Sequence, residues 1–126
     1  MAENLATRVV NIRKQTDRGA FIYVGRRCRH PAFGWLRAHY FANPFKVPAG
    51  ATLDQKAECL ERYRRWLLGT QVGQEGRAHL SALAQVAGHT RKPLGCWCGD
   101  WPEEPGLLCH AVVLAKEIDL ILARSD

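Results

Sequence analysis

The chain has no long hydrophobic run: none of its apolar stretches approaches the ~20 residues that a membrane-spanning helix needs. Its first seven residues have neither a basic start nor an apolar stretch, so they do not resemble a secretory signal. We therefore expect a cytoplasmic location and no membrane partner. In a reducing compartment, the odd count of five cysteines predicts thiols or metal ligands rather than disulfide bridges.

The sequence also lacks the common catalytic signatures. It contains no Walker loop, no G-x-G-x-x-G fingerprint, no H-E-x-x-H motif and no serine nucleophile elbow. Repeats, low-complexity tracts and linker-like stretches are absent as well. The length of 126 residues is enough to bury a core without disulfide bonds. It predicts a single domain over residues 1–126.

Acidic residues are scarce in the first third of the chain. Residues 8–46 hold nine lysines and arginines against one acid, Asp17, whereas residues 47–126 hold nine basic and ten acidic residues. Nearly all of the net charge of +6 is therefore local to the first third. Concentrated positive charge attracts phosphates, so a nucleotide or a nucleic acid is the expected partner. The alternative is a solvated basic surface that only aids solubility.

Two strands are predicted near the beginning of the chain. Residues 8–13 alternate partly between apolar and polar side chains, and residues 20–24 form the continuous apolar run typical of a buried central strand. The segment between them contains Asp17 and Gly19, and it is a candidate hairpin turn.

A long loop is predicted over residues 26–51, which contain three prolines and show no clean period. One helical turn is expected within it, near residues 33–41. Its aromatic and basic side chains either form a base-stacking surface or anchor the loop to the core. These side chains are Arg29, Phe33, Trp35, Arg37, Tyr40 and Phe41.

Helical spacing dominates the rest of the chain. Thr52 and Gln55 form a capping box, and Glu58–Arg62 and Glu61–Arg65 are i,i+4 pairs. The predicted ranges are 52–68, 74–87 and 108–123 for helices and 92–97 for a strand. Apolar positions mark the helical faces: Leu53, Leu60 and Leu67 in the first helix; Leu80, Leu83, Ala84 and Ala87 in the second; Ala111, Leu114, Ala115, Ile118, Ile121 and Leu122 in the last.

The element order β-β-α-α-β-α predicts an α/β fold, a small single-domain layer architecture with at least one parallel strand pair. We expect the strand at 20–24 to lie parallel to the strand at 92–97 through a right-handed crossover. Ligands gather at the carboxyl ends of strands in such sheets. Residues 25–30 and 96–110 are therefore expected to face one site.

Three of the five cysteines fall within residues 94–110. Cys96, Cys98 and Cys109 are candidate zinc ligands, with His110, His30 or Cys28 as the fourth. The spacing C-x-C-x10-C-H differs, however, from the paired C-x2-C knuckles of zinc ribbons. Two cysteines in a straight strand stand ~6.6 Å apart. Adjacent residues on a helix diverge by ~100°, so Cys109 and His110 are not both expected to reach one ion.

Thiol chemistry is the second interpretation of the same residues. Cys109 is expected in the first turn of the last helix, where the helix dipole favours an anion and lowers a thiol pKa. With His110 beside it, Cys109 is then a candidate nucleophile. The third interpretation is that these cysteines are small buried side chains, which explains Cys59 on the first helix well.

Five motifs occur in order along the chain: Tyr23-Val24-Gly25-Arg26, Asn43-Pro44-Phe45, Tyr63-Arg64-Arg65-Trp66-Leu67, Leu94-Gly95-Cys96-Trp97-Cys98 and Cys109-His110. Together they resemble a small bacterial and phage family, domain of unknown function 4326, over about residues 8–120. The resemblance implies one shared site and no particular reaction. The residues it joins are Gly25, Arg26, Asn43, Pro44, Cys96, Cys98, Cys109 and His110. Where the family favours Gly-Asp after Cys-His, this chain has Ala111-Val112.

The first functional hypothesis is an enzyme-like domain that acts on a nucleotide or nucleic acid through a thiolate or metal centre. Its substrate-binding residues are Gly25, Arg26, Arg27, Arg29 and Asn43; its catalytic residues are Cys109 and His110; its metal ligands, for zinc, are Cys96, Cys98 and Cys109. The second is a non-catalytic nucleic-acid-binding module with a structural metal. The third is a protein-interaction module that uses residues 26–51.

Overall fold

The computed structural model describes residues 7–69 and 73–124, and its elements follow the predicted order with two strands added. The strands are β1 (Val9–Asn11), β2 (Ile22–Tyr23), β3 (Cys28–His30), β4 (Gly34–Leu36) and β5 (Leu94–Cys96). The helices are α1 (Leu53–Leu68), α2 (Gly73–Thr90) and α3 (His110–Arg124). The predicted α/β class is therefore confirmed.

Strand β5 lies at the centre of a three-stranded parallel sheet with the order β1-β5-β2. The predicted parallel pairing of the second strand with the 92–97 strand is confirmed, with Ile22 opposite Leu94. Two other expectations are wrong. The central strand is β5 rather than residues 20–24, and β1 and β2 do not form a hairpin. Residues between them form short 3-10 turns, one capped by Asp17, so both strands run in the same direction along opposite edges of β5.

An antiparallel hairpin of β3 and β4 occupies part of the segment predicted as a loop, and no helical turn forms at 33–41. His30 stabilises this hairpin. Its Nδ1 accepts hydrogen bonds from the backbone N–H groups of Ala32 (3.0 Å) and Phe33 (3.3 Å), and its Nε2 donates to the carbonyl of Ile12 (2.8 Å). A side chain that is only 3% exposed thus ties the turn to the chain after β1.

The two faces of the sheet pack against different partners. Val9, Leu94 and Cys96 belong to the main core, which includes residues from all three helices. Ile12 and Tyr23 belong to a second cluster with Phe21 and Leu36, and it lies beneath the hairpin. Helix α3 packs on β1 and β5 and also contacts α1 and α2. The sheet is therefore covered by helices on one face and by the hairpin on the other.

Several local helix predictions are confirmed. The capping box of Thr52 and Gln55 starts α1, and both i,i+4 ion pairs form on its surface at 3.4 Å. The inward residues of α2 and the first four predicted for α3 are buried. The buried face of α1 differs from the predicted one. Leu53 is 73% exposed, and the buried residues are Cys59, Tyr63 and Leu67. None of the helices in the described ranges is long and apolar enough to cross a membrane.

A substitution at Gly95 tests how closely β5 packs against Phe21 and Ile12. A Cβ at this position would meet the ring of Phe21 and would lie 2.7 Å from Ile12 Cγ2. We expect Gly95→Ala to lower the free energy of unfolding by about 1–3 kcal/mol through overpacking. Urea denaturation monitored by circular dichroism would measure this. The matched control is Gly106→Ala, whose Cβ meets nothing within 4 Å, and an equal loss in both variants would contradict the argument.

Candidate metal centre

Three cysteines from separate parts of the fold meet at one end of β5. Cys96 is the last residue of β5, Cys98 follows after a bend, and Cys109 immediately precedes α3. Their Sγ atoms all lie within 4.8 Å of one another, and those of Cys96 and Cys109 are 3.1 Å apart. The straight-strand separation does not apply, because the strand ends at Cys96 and the chain turns. The three sulfurs form a group that can hold a metal ion.

The loop between Cys98 and Cys109 is held against β1. The Asp100 carboxylate accepts hydrogen bonds from the backbone N–H of Asn11 (2.8 Å) and from Lys14 Nζ (3.0 Å). One residue further on, Trp101 exchanges two backbone hydrogen bonds with Val9. The backbone N–H of Asp100 also donates to Glu104 Oε1 at 3.1 Å. The path of the loop that joins Cys98 to Cys109 is therefore fixed by contacts to β1, an edge strand of the sheet.

His110 is oriented toward the sulfurs by a backbone carbonyl. Its Nε2 donates to the carbonyl oxygen of Val24 at 2.8 Å, which leaves Nδ1 as the unprotonated nitrogen, 3.9 Å from Cys109 Sγ. Burial lowers the pKa of His110 and favours the neutral ring. Cys109 and His110 come closer than their adjacency on a helix predicts, because Cys109 lies just before α3. His110 is nevertheless outside the group of mutually close ligand atoms.

The pKa values of the three thiols shift in different directions. Hydrogen bonds from Cys109 and Cys96, with a smaller contribution from Lys56, lower the pKa of Cys98 to about 3. At Cys96 the hydrogen bond with Cys109 lowers the pKa, but the hydrogen bond with Cys98 and burial outweigh it and raise the pKa overall. Hydrogen bonds to the other two sulfurs, together with burial, raise the pKa of Cys109. The pKa shift at Cys109 is therefore opposite to the expected one, and Cys98 is the cysteine whose pKa is lowered.

A cleft of about 660 Å³ opens beside the cysteines. Cys98, Cys109 and His110 line it, together with three polar side chains from other elements: Asn43, Lys56 and Glu104. The rest of its wall is mostly apolar and comes from Val47, Leu53, Cys59, Leu60, Gly106, Leu107 and Leu108. Exposed Leu53 thus belongs to the rim of a cleft rather than to the core.

The predicted substrate-binding residues occupy two places. Asn43 lines the cleft, and Arg26 is bonded to the same segment: its guanidinium donates to the carbonyls of Asn43 (2.9 Å) and Phe45 (2.8 Å). Gly25 is buried, and a Cβ there would meet the ring of Tyr23.

Arg27 and Arg29 belong to the hairpin region instead. Arg27 lies over the ring of Trp35 at 4.5 Å, and Arg29 is exposed on β3. The two further candidates for a fourth metal ligand are bonded elsewhere. His30 uses both ring nitrogens in the hairpin, and Cys28 Sγ contacts the Tyr23 hydroxyl and Trp97 Nε1, each at 3.2 Å.

Sequence reasoning missed Lys56 and Glu104, which line the cleft with the cysteines. Lys56 lies on the exposed first turns of α1, where lysine is ordinary, and no spacing relates it to Cys98. Glu104 belongs to an irregular loop. Both residues reach the cleft only through the packing of distant segments.

The fold and the site define a small α/β domain with a cysteine cluster at the carboxyl end of its central parallel strand. The family described as Domain of unknown function (DUF4326) matches residues 10–120, and the chain belongs to this family. No curated protein and no solved structure gives a match.

Thiol labelling tests the charge distribution. In metal-free protein at mildly acidic pH, below the ordinary thiol pKa of about 8.5, we expect iodoacetamide to modify Cys98 first. The reason is that Cys98 is exposed and its lowered pKa favours the thiolate, whereas Cys96 and Cys109 are buried and their pKa values are raised. Peptide mapping by mass spectrometry after short exposures identifies the labelled residue. Labelling of Cys28 or Cys59 before Cys98 would contradict the assignment, and Cys98→Ser should remove the fast reaction.

Proposed function

We propose that the protein is a cytoplasmic metal-binding domain in which Cys96, Cys98 and Cys109 hold a zinc ion. This proposal rests on the three cysteine Sγ atoms, which all lie within 4.8 Å of one another. With Zn–S bonds of about 2.3 Å, tetrahedral ligands stand about 3.8 Å apart, so small side-chain movements suffice. Thiolate sulfur is a soft ligand that zinc accepts readily, and metal binding displaces the two remaining thiol protons.

The fourth coordination position faces the cleft in this proposal. Support comes from the exposure of Cys98 and from the presence of Cys98 and Cys109 in the cleft wall. A zinc ion with three protein ligands keeps a position for water or a ligand, as in catalytic sites, whereas four protein ligands close the site. In this proposal His110 lies beside the metal as a neutral ring, and its Nδ1 would accept a hydrogen bond from a ligand in the cleft.

The target at this centre is a nucleotide or a nucleic acid. The net charge of +6 and the excess of arginine and lysine over residues 8–46 support this choice. Asn43 and Lys56 supply an amide and a cation within the cleft, beside the carboxylate of Glu104, and the Lys56 cation suits a phosphate of the ligand. Cys109 and His110 remain the predicted catalytic pair: Cys109 would hold the metal, and Nδ1 of the neutral His110 ring would accept a proton from a water molecule bound in the cleft.

Metal analysis tests the zinc site. We expect about one zinc per chain after purification without chelators, measured by inductively coupled plasma mass spectrometry. Cys96→Ser, Cys98→Ser and Cys109→Ser should each lower zinc affinity by more than the roughly 10–100-fold that loss of an outer-shell partner costs. Competition with a chromophoric chelator measures the affinity. Cys28→Ser is the matched control because Cys28 lies outside the group; an equal loss in this variant would count against the site.

His110→Ala tests the open position. If His110 lies beside the metal rather than on it, its removal should cost no more than the roughly 10–100-fold typical of an outer-shell residue. Cobalt-substituted protein should keep its tetrahedral absorption bands in this variant and change them when a small anion such as azide is added. A loss of affinity as large as in the cysteine variants, with no response to azide in the native protein, would show four protein ligands.

A further inference from the structure

The outer face of the β3–β4 hairpin concentrates cations around an exposed indole. Arg29 and Trp35 are opposite one another in the hairpin register, and side chains directly opposite project from the same face. Arg27 lies over the Trp35 ring at 4.5 Å, so it shares that face. Arg37 follows β4 directly, and its side chain is exposed like those of Arg29 and Trp35. We call Arg27, Arg29, Trp35 and Arg37 the hairpin face.

The opposite side of the hairpin packs against the rest of the domain. Cys28 and Leu36 belong to the cluster beneath it, and Trp97 Nε1 donates to Cys28 Sγ. His30 is buried and stacks on Phe33 at 4.2 Å. The hairpin is therefore anchored by one side, and the hairpin face is directed away from the core.

The cations of the hairpin face have no acidic partners. Over residues 7–69 and 73–124, none of Arg27, Arg29 and Arg37 forms an ion pair. The exposed arginines of α1 differ, since Arg62 and Arg65 each pair with a glutamate four residues earlier. Trp35 stays 62% exposed despite the guanidinium over it. An exposed indole beside arginines that form no ion pair suits a partner that is both anionic and aromatic.

We propose that the hairpin face binds single-stranded nucleic acid, with a base stacked on Trp35 and phosphates on Arg27, Arg29 and Arg37. Single strands offer both features at once, because their bases are free to stack on aromatic rings and their backbone carries the negative charge. A duplex keeps its bases stacked on one another, and an acidic protein offers charge without a planar base. This inference rests on the proposed function only for its choice of nucleic acid, and it is independent of the zinc site.

Fluorescence anisotropy with a labelled oligothymidylate of about 15 nucleotides and a duplex of equal length tests the proposal. We expect the single strand to bind more tightly than the duplex. Trp35→Leu should weaken single-strand binding by about 5- to 150-fold, which corresponds to the loss of one base–aromatic stack, and Trp35→Phe should retain part of the affinity. Arg29→Gln should reduce the slope of log affinity against log salt by about 0.7.

Arg65→Gln, which removes the same charge from α1, is the matched control and should leave the affinity and the slope nearly unchanged. All variants should retain native circular dichroism and zinc content, since the altered side chains are exposed and lie far in sequence from Cys96, Cys98 and Cys109. Equal affinity for duplex, unchanged binding by Trp35→Leu, or tighter binding of polyglutamate than of oligothymidylate would each overturn the proposal. If the native protein contains no zinc after purification without chelators but still binds the oligonucleotide, the metal centre alone would be overturned.

Discussion

The insertion of β5 between β1 and β2 is the packing constraint on which the candidate site depends. All three residues of β5 are buried, and the strand pairs along both edges. Gly95 permits this, because Phe21 and Ile12 occupy the space that a side chain would take. The strand then ends with Cys96 against Cys109 at the beginning of α3. The same packing that builds the core therefore brings the first two sulfurs together.

The third sulfur adds an electrostatic constraint. Cys98 is exposed and its pKa is lowered, while the pKa values of the buried Cys96 and Cys109 are raised. Without a cation, hydrogen bonding to Cys98, burial and the charge of a neighbouring thiolate all favour the protonated form of the two buried sulfurs. A divalent ion would reverse that balance, since it favours all three thiolates. The three sulfurs are therefore already close together, and a bound cation would stabilise their thiolate forms.

The hairpin shows where sequence reasoning failed. Strands β3 and β4 have three residues each, too few to display a period, and the prolines nearby favoured a loop prediction. His30, a candidate metal ligand by sequence, stabilises the turn instead. Its ring accepts hydrogen bonds from the backbone N–H groups of Ala32 and Phe33 and donates one to the carbonyl of Ile12. The bond to Ile12 spans 18 residues, so no local spacing predicts it. Arg26 is similar, because its bonds to Asn43 and Phe45 depend on a loop path that the motif order does not show.

The sequence by itself determined the features that depend on neighbouring residues. The capping box at Thr52, the ion pairs along α1 and the buried faces of α2 and α3 all follow from three- and four-residue spacing, since such residues meet on any helix. Only the tertiary structure decided the strand order, the meeting of three sulfurs and the orientation of His110. These depend on contacts such as His110 with Val24, 86 residues apart, and Asp100 with Asn11, 89 residues apart. Such contacts form only when distant segments pack, because nothing in the local chain brings them together.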